Sequence, residues 1–147
     1  MNVNELYQDL ILDHSRHPRC HGCVRNPNAK ACLLNPLCGD QIELTLVIKE
    51  GIVEDIAFSG HGCSISQASA SMMSDICKSK SVVEVRDLLL LFSDMMKGEK
   101  EGGDCEPLGD AVALEGVRKF SARIKCAMLP WEAIEQCCKK IEEELRN

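Results

Sequence analysis

The sequence predicts an α+β protein: a three-stranded antiparallel sheet with helices packed on it. Three observations lead there. Residues 41–49 alternate apolar Ile42, Leu44, Leu46 and Ile48 with polar neighbours, the period-two pattern of a half-buried strand. A second strand-like run, residues 52–59, follows directly across Glu50 and Gly51, a tight hairpin turn. Before and after this pair, apolar residues recur at helical spacing, and the order helix, strands, helices defines the class.

Residues 3–16 read as an amphipathic helix with Val3, Leu6, Tyr7, Leu10, Ile11 and His14 on one face. Asn2 and Glu5 make an N-terminal capping pair, and Pro18 marks the end. Residues 17–39 are rich in breakers, with a short strand expected at 30–34. The strand at 52–59 places Ile52, Ile56 and Phe58 on its apolar positions. Gly60, His61 and Gly62 break it, and Cys63 stands at the entry to a Ser- and Ala-rich helix running to about Lys78. Small side chains there let backbones pack closely. Ser81 and Glu84 form a capping box for the next helix, which turns Val82, Val85, Leu88, Leu89, Phe92 and Met96 inward and stops at Gly98. Residues 97–109 read as a charged, Gly-rich loop, and 111–124 as helical in tendency. Pro130 suits the first turn of a last helix, with Ile134, Cys138, Ile141 and Leu145 as its core face. Residues 1–147 read as one domain, with no repeat or low-complexity segment.

The chain carries a net charge of −6 from 17 basic and 23 acidic residues, without a basic stripe. Nucleic acids and anionic membranes need clustered Lys and Arg, so neither is an expected partner. The opening residues lack a basic region followed by a long apolar stretch, so no signal peptide is expected, and the longest aliphatic run, residues 88–91, is far too short to span a bilayer. A cytoplasmic location is expected. In a reducing compartment the 10 cysteines point to metal binding, sulfur chemistry or burial rather than disulfides.

Three cysteines lie at junctions. Cys38 sits in a loop before a strand, Cys63 between a strand and a helix, and Cys126 before the helix expected to begin near Pro130. A helix N-terminus stabilises a thiolate, which fits Cys63. Arg123 and Lys125 add positive charge near Cys126. Asp40, two residues after Cys38, can supply a fourth ligand, and three thiolates with one carboxylate suit a tetrahedral zinc ion. The harder carboxylate is the weaker partner for a thiophilic ion, so Asp40 is expected to tune lability. Read from spacing alone, a plainer alternative stands: Cys38 and Cys63 as small core residues, with Asp40 capping a turn.

Cys38-Gly39-Asp40, the Gly62-Cys63-Ser64 segment with Ser66, Ala68 and Ser69, and Arg123 three residues before Cys126 resemble the IscU/NifU-like iron–sulfur assembly proteins. Leu6-Tyr7, Asp13-His14 and Pro18-Arg19 are similar too, so the likeness covers nearly the whole chain. The long stretch between Cys63 and Cys126 resembles the SufU branch. Scaffold-type members carry a histidine before the third cysteine and a Leu-Pro-Pro-Val-Lys motif; here Lys125 takes the first position and the motif is missing. The resemblance implies an IscU/SufU-like fold and zinc held by Cys38, Asp40, Cys63 and Cys126. It also implies that Cys38 accepts persulfide sulfur from a SufS-type cysteine desulfurase, whose pyridoxal phosphate does the desulfuration, for onward delivery to downstream assembly scaffold proteins. The rival within the family is a scaffold carrying a transient [2Fe–2S] cluster on the same residues. A zinc hydrolase or deaminase ranks below both, because no H-x-E or H-E-x-x-H pattern occurs. A structural zinc module also ranks low, since a chain of this length builds its own core.

His14, His17, Cys20, His21 and Cys23 invite a second metal site, but are expected to be exposed polar residues and incidental cysteines. Cys77, Cys137 and Cys138 read as packing residues in helices, Cys32 as a strand residue and Cys105 as an exposed, oxidisable loop thiol. Met72, Met73, Met95 and Met96 read as core filler, Trp131 as a packing anchor behind Cys126, and His61 as solvent-exposed.

Overall fold

The computed structural model describes residues 3–146. Helix α1 (Val3–Arg16) leads through a wrapping segment into strands β1 (Ala29–Asn35), β2 (Asp40–Lys49) and β3 (Ile52–His61). Helices α2 (Ser64–Cys77) and α3 (Val82–Met96) follow, then two 3₁₀ segments (Gly102–Asp104 and Glu106–Lys119) and helix α4 (Ser121–Arg146). The sheet is antiparallel in the order β1-β2-β3. The expected α+β architecture is the observed one. The expected capping pair at Asn2 lies outside the described residues.

Glu50 and Gly51 both have positive φ, 52° and 76°, the signature of the hairpin turn whose twist matches its strands. The inward face of β2 is formed by Ile42, Leu44, Leu46 and Ile48, all buried. Their partners on β3 are Gly60, Phe58, Ile56 and Val53. Here the structure departs from expectation: Val53 is buried and Ile52 is 39% exposed. The register shifts between Val47 and Ile48, which leaves Glu54 unpaired. A bulge of one residue turns the strand's first side chains over. The strand also runs on through Gly60 to His61, which pairs with Gln41.

Helix α4 packs on β1 and β2, α2 on β3, and α1 on α2. Ser81 caps α3 by accepting from Glu84 N–H (3.0 Å), and all six residues expected to face inward from α3 are buried. Leu6 and Leu145, both expected on core faces, are 49% and 79% exposed. The last helix begins at Ser121, nine residues before Pro130, which sits inside it. Proline lacks an N–H and so cannot bond the carbonyl four residues back, which is that of Cys126. Tertiary bonds secure this stretch. Ser69 donates to the Ala127 carbonyl (2.6 Å) and accepts from Trp131 Nε1 (3.1 Å), while Trp131 stacks on Phe92 at 4.3 Å between ring centroids. Trp131 is thus the anchor expected behind Cys126.

Residues 106–119 form a 3₁₀ run rather than a loop followed by an α-helix, broken at Gly109, whose φ is 55°. His14 ties this segment to the body. It is fully buried, its Nε2 bonded to Asp110 Oδ2 (2.8 Å) and its Nδ1 to Ser71 Oγ (2.7 Å).

Cys77, Cys137 and Cys138 are buried, as are the four core methionines. Burial pushes the three thiols above their ordinary value of 9.0, to about 12, about 12 and about 11. Above the ordinary value, the unfolded chain releases protons that the folded chain keeps. Stability should therefore fall as pH rises from the unfolded thiol value through these raised values. Urea titrations at about pH 8 and about pH 10 test this: the midpoint drops at the higher pH, and an unchanged midpoint would show that these thiols are not held protonated by the fold.

Candidate metal centre

One end of the sheet gathers the chemistry-bearing residues. Asn35 and Asp40 close the ladder between β1 and β2, and residues 36–39 form the connecting loop. Cys38 N–H donates to Asn35 O (3.2 Å), and Gly39 adopts φ +68°, which returns the chain into β2. Cys38 is half-buried on this tip. Leu37 beside it is 80% exposed.

Asp40, by contrast, is buried. Its Oδ1 accepts from Cys63 N–H (2.8 Å) and from the Ser66 hydroxyl (3.1 Å). Its Oδ2 is buried without a hydrogen-bond partner among the described residues. The carboxylate lies against Gly62. A Cβ there would stand 2.3 Å from Asp40 Oδ1 and 2.9 Å from Ser66 Oγ.

Cys63 is the N-cap of α2, and its Sγ accepts from Ser66 N–H (3.5 Å). The sulfur thereby satisfies one of the free amides of the first helical turn. Cys126 lies inside α4 rather than ahead of a helix. It is fully buried, with Asn35 Nδ2 donating to its Sγ at 3.7 Å.

The ligand atoms of Cys38, Asp40 and Cys126 lie within 4.8 Å of one another. Cys63 is outside that cluster, its sulfur turned onto its own helix. Even so, the Cys126 thiol is influenced by Cys63 as well as by Cys38 and Asp40. Burial first, then the nearness of those three side chains, raises its pKa well above the ordinary thiol value. Arg123 stands beside the sulfurs of Cys63 and Cys126, which hold its guanidinium firmly protonated. Lys125 and His61 are exposed, His61 as expected.

Sequence reasoning missed Asn35, Gly62 and Ser66 as builders of the site. The signal for Asn35 was the hairpin register, which puts it opposite Asp40. Ser66, three residues after Cys63, was in N-cap spacing. Elsewhere, Cys105 is buried rather than exposed, its thiol donating to Glu101 O at 3.2 Å. The 3₁₀ turns fold over it. Cys32 lies in β1, exposed, as does Cys23 in the wrapping segment. Cys20 O accepts from Phe58 N–H (2.9 Å), so its backbone covers the edge of β3. His14, expected among the exposed polar residues, is instead buried and committed to Ser71 and Asp110, so the second metal site gains no support.

A sheet end that collects three thiols and a carboxylate from a hairpin, a helix cap and a helix interior defines a class of small α+β proteins built around a thiol–carboxylate centre. The chain belongs to the NifU-like N terminal domain family, matched over residues 6–142. A Bacillus subtilis (strain 168) protein named zinc-dependent sulfurtransferase SufU is 48% identical over 141 residues, covering 96% of this chain and 95% of its own. A Streptococcus pyogenes serotype M1 protein named iron–sulfur cluster assembly scaffold protein IscU is 44% identical, covering 94% of this chain and 86% of its own. A crystal structure from Fervidobacterium islandicum AW-1, named as a candidate assembly scaffold for the SUF system, superposes with a TM-score of 0.82 at 28% identity, covering 93% and 99% of the two chains. No helix among the described residues is long and apolar enough to cross a membrane.

Proposed function

We propose that the protein is a zinc-binding sulfur acceptor that takes persulfide sulfur from a SufS-type cysteine desulfurase for iron–sulfur cluster assembly. The observation that carries this reading is the buried Asp40 Oδ2, a carboxyl oxygen without a hydrogen-bond partner among the described residues, set among sulfurs. Burying such a group unpaired is costly, and a cation removes the cost. The donor set fits zinc: Cys38, Asp40, Cys63 and Cys126 would hold it. Zinc, when bound, keeps the sulfurs as thiolates at neutral pH.

The chain's own residues then divide the work. Asn35 and the cap of α2 hold Cys126 and Cys63 in place. Asp40 ties the hairpin to the start of α2 through the Cys63 N–H. Cys38, half-exposed, is the acceptor. Its thiolate attacks the outer sulfur of the donor's cysteine persulfide. A new S–S bond forms at Cys38, the donor's S–S bond breaks, and the donor leaves as a thiolate, so no net oxidation or reduction occurs.

The scaffold reading, with a [2Fe–2S] cluster as cargo on the same residues, is supported by the name of the Streptococcus relative. Lys125 in the position where scaffold-type members carry histidine favours transfer. Metal content of the purified protein, followed by desulfurase turnover with and without it, separates the two. Tightly held zinc, roughly one per chain, with strong stimulation of turnover is the expected result. A metal-free protein that assembles a stable cluster and leaves turnover unchanged would reverse the order.

A further inference from the structure

A groove of ≈ 840 Å³ leads away from the site. It is lined by Tyr7 and Ile11 of α1 and by Val117 and Phe120 at the end of the 3₁₀ run, and it reaches Cys63 and Arg123. Its walls are fastened together, since His14 on α1 bonds Asp110 in the 3₁₀ run and Ser71 on α2. Phe120 is 64% exposed, and Leu34 and Leu37 on the hairpin bearing Cys38 are 65% and 80% exposed.

The charges in the groove are unevenly used. Arg118 is bound to Glu101 (2.8 Å), lies 3.9 Å from Glu115, and also donates to the Met95 and Lys100 carbonyls. Lys119 and Arg123 have no carboxylate partner among the described residues, and α1 contributes only the neutral Asn4 and Gln8 beside its apolar side chains. On a chain of net charge −6, this leaves a locally basic, apolar-walled groove ending at Cys63.

We propose that this groove receives an extended acidic segment of the desulfurase, apolar side chains against Phe120 and carboxylates on Lys119 and Arg123, making residues 106–119 a docking wall. The proposal rests on the sulfur-acceptor reading above. Two grounds select this occupant. A persulfide can reach Cys38 only if the chain bearing it lies across the site, and the groove opens from Cys63 on that same end of the molecule. Lys119 and Arg123, cations without a carboxylate to neutralise them, then call for acidic rather than basic residues.

The test measures binding of the full-length protein to its own organism's cysteine desulfurase. Lys119→Glu and Phe120→Ala should each weaken binding about tenfold. Lys119→Glu should also flatten the salt dependence. Zinc content should be unchanged in both, and Leu145→Ala, on the exposed end of α4, should bind like the wild type. Wild-type affinity in both groove variants, with sulfur acceptance intact, overturns the docking assignment and leaves the acceptor reading standing. A wild-type protein that neither binds the desulfurase nor takes sulfur overturns both. Self-association abolished by Phe120→Ala, with desulfurase affinity unchanged, assigns the groove to a second copy of the chain and also overturns the proposal.

Discussion

A Cys38→Ser protein should bind the desulfurase and take up no sulfur. The three thiols of the site are not equivalent. Cys126 is sealed in α4, and the sulfur of Cys63 accepts the Ser66 N–H at its helix cap. Cys38 is half-exposed on a hairpin tip whose neighbour Leu37 points into solvent, so an incoming persulfide meets it first. Serine keeps the size of the side chain but is not a thiolate, and transfer should drop to background. The fold should barely notice, since exposed loop substitutions usually stay within about 0.5 kcal/mol. Mass spectrometry after incubation with desulfurase and cysteine reads the result directly as added sulfur. Loading of the serine protein at the wild-type rate would move the acceptor to another cysteine.

Gly62→Ala should damage the site without touching a ligand. The position has φ +151°, and a Cβ there would press on Asp40 Oδ1, on the Asp40 backbone and on Ser66 Oγ. None of these can retreat freely, because Asp40 is bound to Cys63 N–H and to Ser66. The carboxylate must shift and its bonds loosen. Stability should fall by about 1–3 kcal/mol from strain. Zinc affinity should fall by about 10–100-fold, the range for losing support around a ligand. Gly39→Ala is the matched control. That residue also has positive φ, +68°, but nothing lies within 4 Å of its would-be Cβ, so strain alone should register. Chelator competition measures the zinc arm. Equal zinc affinity in Gly62→Ala and wild type would mean that the Asp40 carboxylate takes no part in holding the metal.

Much of the fold was legible because its strands and its third helix follow local rules. Alternation in residues 41–49 and the cap at Ser81 are decided within a few residues, and both were read correctly. The failures came where distant contacts override local preference. Pro130 reads as a helix start, but Ser69, Trp131 and Phe92 hold the chain helical on both sides of it. Ile52 and Val53 exchanged roles because a bulge opposite Val47 and Ile48 leaves no mark in the apolar pattern. Residues 111–124 read as helical in tendency, but the 3₁₀ run at 106–119 is tied down by His14, 96 residues before Asp110. At the site, the cysteines and Asp40 were visible as residue types with suggestive spacing. The supporting roles of Asn35, Gly62 and Ser66 were not, because they act through hairpin register, backbone approach and hydrogen bonds to Asp40 and Cys63 that form only in the folded chain.

The two outer members of the thiol cluster are mounted very differently. Cys126 is carried by a 26-residue helix whose next turn is pinned through Trp131 to the core, so it behaves as a fixed post. Cys38 rides on a short turn with solvent on one side, where displacement is cheap. A centre with one post and one arm opens in a single direction. Whatever it holds would be let go at the hairpin, and the helix would stay where it is to receive the next load.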